Sequence, residues 1–61
     1  MYWNEKLKSL RGDKTIEEVT AAMMLNPNAY EAYEAGERMP LDSVKKIIAD
    51  YFKVTVKDIW N

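Results

Sequence analysis

The sequence predicts an all-α domain built from five short helices. Apolar residues recur at helical rather than alternating spacing, and helix-starting residues (Thr15, Asn26, Thr55) stand just ahead of those stripes. Only two glycines and two prolines punctuate the 61 residues. Strand character is confined to Phe52–Val56, a segment too short to build a sheet. One domain over residues 1–61 is expected, and a chain of this size buries only about 60% of its unfolded surface. With no cysteine to staple it, stability must come from the apolar residues, which make up 48% of the chain.

Asn4 is a candidate cap for the first helix, with Leu7 and Leu10 turned inward, Lys6, Lys8 and Ser9 outward, and Gly12-Asp13 as the stop. Thr15-Ile16-Glu17-Glu18 reads as a capping box: the Thr15 hydroxyl accepts from the Glu18 amide and the Glu18 carboxylate reaches back. A second helix over about residues 15–24 follows, with Val19, Ala22 and Met23 facing the core. Asn26-Pro27 starts the third, because Asn caps well and Pro fits the first helical position, where no N–H is needed. Ala29, Tyr30 and Tyr33 point inward there, and Gly36 ends it.

Pro40 closes a turn, and Asp42 or Ser43 caps a fourth helix. Its apolar stripe is Val44, Ile47, Ile48, Tyr51 and Phe52, with Lys45, Lys46 and Asp50 outside. Thr55 opens a last short helix through Val56, Ile59 and Trp60. Trp3 and Trp60 meet if the first and last helices pack together. They then either cap the core or form an exposed aromatic patch for self-association.

Nine Lys plus Arg against ten Asp plus Glu give a net charge of −1, which selects no partner class. The absence of histidine and cysteine removes the thiolate, the imidazole base and the usual zinc ligands, so no metal and no cofactor is expected. The carboxylates are scattered, and neither a phosphate-cradling glycine loop nor a nucleophile beside a base is present; the chain does not read as an enzyme. The longest apolar run, Ala21-Ala22-Met23-Met24-Leu25, is far short of the roughly 20 residues that span a bilayer. No basic segment followed by an apolar stretch opens the chain, so a soluble cytoplasmic protein without membrane contact is expected.

The two helices over about residues 15–35, with a tight joint at Leu25-Asn26, have the proportions of a helix-turn-helix. Such a joint leaves the outer face of the second helix projecting, and a helix of that diameter fits the DNA major groove. The chain resembles the Cro/cI-type (Xre-like) helix-turn-helix family over about residues 6–60. Leu7, Leu10-Arg11, Thr15-x-Glu17-Glu18-Val19, Tyr33-Glu34-x-Gly36-x-Arg38-x-Pro40 and Ile48-Ala49-Asp50-Tyr51-Phe52-x-Val54-Thr55-Val56 carry the likeness. The resemblance implies a lambda-repressor-like fold, bacterial or phage origin, and binding to a double-stranded DNA operator as a homodimer. It also implies a structural pair between Arg11 and Glu34, and a dimer contact through Val56, Ile59 and Trp60.

The candidate DNA-binding residues are Lys14 and Thr15 at the start of the second helix, Asn26, Pro27, Asn28, Glu31 and Ala32 on the third, and Arg38 beyond it. Asn28 can bond bidentately to adenine, and Glu31 can accept from the cytosine amine. Arg38 either follows the DNA backbone or pairs with Glu37 at the surface. Where the family commonly has Gln after the capping Thr, this chain has Ile16; where it has Gly after the second helix, this chain has Met24. The outer face of the third helix bears no cation. That departure motivates the alternative, a helix-turn-helix that meets a protein partner as an antirepressor, antitoxin or inhibitor. The ending Trp60-Asn61 fits a whole small regulator and equally a reading module of a longer one.

Overall fold

The computed structural model describes residues 2–60, in the order α1 (Trp3–Arg11), α2 (Ile16–Met23), α3 (Pro27–Glu34), α4 (Asp42–Phe52) and α5 (Val56–Ile59). No strand occurs among the described residues, so the class is all-α as expected. Helix α3 packs on both α1 and α2, α4 on α2 and α5, and α5 returns to α1. Leu7, Val19, Tyr30 and Ile48 are fully withdrawn from water, with Met23, Tyr33 and Ile59 joining them. Each such aliphatic side chain contributes about 1.5–3 kcal/mol by its burial.

Local chemistry sets most of the helix starts. Thr15 Oγ1 accepts from the Glu18 amide and Asn26 Oδ1 from the amides of Asn28 and Ala29. The reciprocal capping box forms at α5, not α2: Thr55 Oγ1 accepts from the Asp58 amide while Asp58 Oδ2 accepts from that of Thr55. That backbone amide, helped by the Thr55 hydroxyl, holds the Asp58 carboxyl below its usual value.

Three helices end in the same motif, a left-handed residue flanked by two reversed amide bonds. After α3 it is Gly36 (φ 77°), whose amide and that of Glu37 donate to the Tyr33 and Ala32 carbonyls. After α2 and α4 the left-handed position falls to Met24 (φ 58°) and Lys53 (φ 61°), both of which carry a Cβ.

Several expectations are corrected. Asn4 caps nothing: α1 starts earlier, with Tyr2 at the cap, because Trp3 is drawn against the core as part of the helix. The inward stripe of α1 is therefore Trp3, Leu7 and Arg11, one turn apart, and Leu10 is left 38% exposed. On α2, Thr20 takes the buried place expected of Ala22, its hydroxyl satisfied by the Ile16 carbonyl at 2.7 Å. Helix α4 begins with Leu41 as its cap and no side-chain bond from Asp42 or Ser43. Ala49 is buried and Ile47 is exposed, so the α4 stripe is rotated from its expected position. Lys45 is not a free surface cation, since its ammonium lies 5.6 Å over the Trp60 ring and 3.9 Å from Asp42.

Candidate nucleic-acid interface

Helix α3 is gripped from behind and at its C-terminal end. Arg11 Nε and Nη2 donate to the Glu34 carboxylate at 2.7 and 3.0 Å, while Nη1 donates to the Lys14 carbonyl at 2.8 Å. The fork joins the end of α1, the following loop and the last turn of α3. Glu34 is only 3% exposed, so the paired guanidinium is what makes its charge tolerable there. The Glu34 hydrogen bond in turn holds Arg11 more firmly protonated.

Sequence reasoning missed the role of Asn4. Its Nδ2 donates to the Glu34 carbonyl at 3.3 Å, and a Cβ at Gly36 would stand 3.2 Å from that nitrogen. Asn4, Leu7 and Arg11 lie at i, i+3 and i+7 on α1, so a polar residue on the stripe that faces α3 was the available signal. Tyr30 and Tyr33 complete the seat as an edge-on pair with centroids 6.4 Å apart. The Tyr30 hydroxyl is buried without a hydrogen-bond partner among the described residues. Burial pushes its phenol well up, and the Glu34 carboxylate adds to the shift.

The opposite face of α3 is open. Pro27, Asn28 and Glu31 are exposed and Ala32 is half-buried. Asn26 is exposed, but its side-chain oxygen is committed to the cap. Arg38 is exposed and has no ion-pair partner among the described residues, Glu37 included. Lys14 stands at the entrance to α2 with its ammonium 3.4 Å from Tyr51 Oη and 5.6 Å over that ring, which steers it while leaving it exposed. Thr15 is exposed as the cap of the same helix.

The charge of this surface is unlike that of the rest of the chain. Residues 14–38 contain two cations, Lys14 and Arg38, against Glu17, Glu18, Glu31, Glu34 and Glu37. Of these carboxylates, Glu34 alone is neutralised by a close partner. Of the expected dimer contacts, Ile59 is buried in the core at 2% exposure and cannot touch a second chain as it stands; Val56 and Trp60 are half-buried.

No family model, curated protein or solved structure matches this chain. The functional reading therefore rests on the geometry above. Among the described residues, no helix is long and apolar enough to cross a membrane, and no group of three His, Cys, Asp or Glu side chains could hold a metal ion.

Proposed function

We propose that this protein is a small, sequence-specific DNA-binding regulator of the Cro/cI type, acting in the cytoplasm of a bacterium or on behalf of a phage. The observation that carries the reading is the mounting of α3: clamped behind by Arg11–Glu34 and Asn4, and open in front at Asn28 and Glu31. In this reading α3 enters the major groove. Asn28 bonds adenine, worth about 1–3 kcal/mol of discrimination, and Glu31 accepts from a cytosine amine. Lys14 beside the first-turn amides of α2, together with Arg38, supplies the phosphate contacts. A two-fold dimer would address half-sites about 34 Å apart and repress by covering a promoter. Against it, Glu31 repels a phosphate about 6 Å away by only about 0.7 kcal/mol in a water-like medium.

Selection from random duplex DNA tests the proposal. A two-fold motif should emerge, its binding should weaken with a log–log salt slope of about −4 to −5 for a dimer, and Asn28→Ala should relax one base position. Failure to select any motif at low salt counts decisively against it.

A second reading is favoured by one observation, the excess of carboxylates on the helix-turn-helix. An acidic projecting helix complements a basic cleft, so the same surface fits an antirepressor, antitoxin or inhibitor that occupies a partner's DNA-binding site. Replacing Asn28 and Glu31 together by Ala separates the two: operator binding is lost and partner binding kept under the first reading, and the reverse under the second.

A further inference from the structure

A cavity of about 540 Å³ opens where α1, α4 and α5 meet, and it shares no residue with the α3 face. Trp3 and Trp60 form its aromatic wall, with ring centroids 6.2 Å apart and planes tilted by 35°. Ile59, 2% exposed, is its floor, and Tyr2 and Met39, 75% and 55% exposed, stand at its rim. Among the described residues the lining includes two cations, Lys6 and Lys45, and no Asp or Glu side chain. Both ammonium groups are held in place: Lys6 Nζ donates to the Asp58 carbonyl at 2.9 Å, and Lys45 Nζ lies 5.6 Å over the Trp60 ring. Asp42, 3.9 Å from Lys45, is fully exposed and offsets that charge only weakly. The Trp60 indole N–H is buried and has no acceptor among the described residues.

We infer that this cavity binds a small apolar anion, an aromatic or aliphatic carboxylate whose hydrocarbon body lies against Trp3 and Trp60 and whose charge is met by Lys6 and Lys45. Its volume falls in the range of small-molecule sites, about 300–1,000 Å³. The Trp3 and Trp60 rings suit the hydrocarbon part of an amphipathic ligand, and Lys6 and Lys45, whose neighbouring carboxylates Asp42 and Asp58 are both exposed, favour an anion over a cation. Occupancy would tie the start of α1 to the end of α5, and α1 also carries the Arg11 clamp on α3.

The test is a titration of the whole ¹⁵N-labelled chain with 2-naphthoate, followed by proton–nitrogen correlation spectra, with 2-naphthamide and 2-naphthylmethylammonium as neutral and cationic comparators. Trp3 and Trp60 are the two tryptophans of the sequence, so their indole N–H signals report the cavity directly. The expected result is that 2-naphthoate shifts both signals and binds at least about fivefold more tightly than the amide, with the cation weakest. Lys6→Gln and Lys45→Gln should each weaken the carboxylate by about two- to fivefold and leave the amide unchanged, as for partly screened ion pairs. Met39→Glu should weaken it as well, at a position exposed enough to spare the fold.

Equal binding of the three compounds, shifts centred away from the cavity, or lysine variants that bind normally would overturn the inference. So would sedimentation showing a homodimer at the titration concentration that Met39→Glu dissociates. None of these outcomes depends on whether α3 binds DNA.

Discussion

Replacing Met24 by glycine should stabilise this protein, against the usual effect of removing a large apolar side chain. Met24 occupies the left-handed region at φ 58°, ψ 39° while its side chain is 92% exposed. That conformation costs a residue with a Cβ roughly 1–2 kcal/mol, and glycine occupies it freely. Glycine's greater freedom in the unfolded chain returns about 0.5–1 kcal/mol of the gain. Packing contributes almost nothing, because the side chain touches little. The net expectation is about 0.5–1 kcal/mol of added stability, or an increase of about 2–8 °C in Tm for a domain of this size. Urea denaturation followed by far-ultraviolet circular dichroism measures it, with Met24→Ala as the control that shortens the side chain and keeps the strained backbone. Met24→Ala should lie within about 0.5 kcal/mol of the parent. If Met24→Gly proves no more stable than Met24→Ala, backbone strain at this joint is not what the geometry indicates.

Arg11→Met leaves the Glu34 carboxylate buried and unpaired, at a cost of about 3–5 kcal/mol, comparable with the whole stability of a domain this small. It should be largely unfolded by circular dichroism at 25 °C while Arg11→Met/Glu34→Leu regains helicity; a folded single variant would refute the clamp. Tyr30→Phe removes a buried hydroxyl that lies near Glu34 but makes no well-formed hydrogen bond among the described residues, and it should be neutral or stabilising by up to about 1 kcal/mol. Because the folded-state phenol is raised, its contribution is fully present below the unfolded-state value near 10 and declines as pH rises beyond it. The advantage of Tyr30→Phe in urea midpoint should thus widen between pH 7 and pH 11, and a constant difference would contradict the assignment.

Structure set by neighbours a few residues apart is what is most legible in this chain. Thr15, Asn26 and Thr55 announce their helices through hydroxyl and amide oxygens that accept from the next turn, and all three do so. Elsewhere distant contacts override that grammar. Asn4 has the chemistry of a cap, yet tertiary packing of Trp3 starts the helix earlier and turns Asn4 toward the Glu34 carbonyl instead. Leu10 and Ile47 are apolar but sit at the edge of their stripes, since a short helix buries only the arc its neighbours cover. Lys45 looked solvated because no local pattern could reveal that Trp60 returns beneath it. For the candidate interface, residue types and helix face were legible from spacing, and the Arg11–Glu34 pairing from resemblance. The guidance of Lys14 by Tyr51 was not, because these residues meet only through the packing of α2 on α4.

The grip on α3 divides its eight residues by task. Tyr30, Tyr33 and Glu34 hold the helix in place, while Asn28 and Glu31 take no part in holding it. New side chains could therefore be grafted at those outward positions with little penalty to folding, and a library randomised there should yield mostly well-folded members. On the proposed DNA-binding reading, the scaffold would serve as a chassis for altered recognition with the rest of the molecule left as it is.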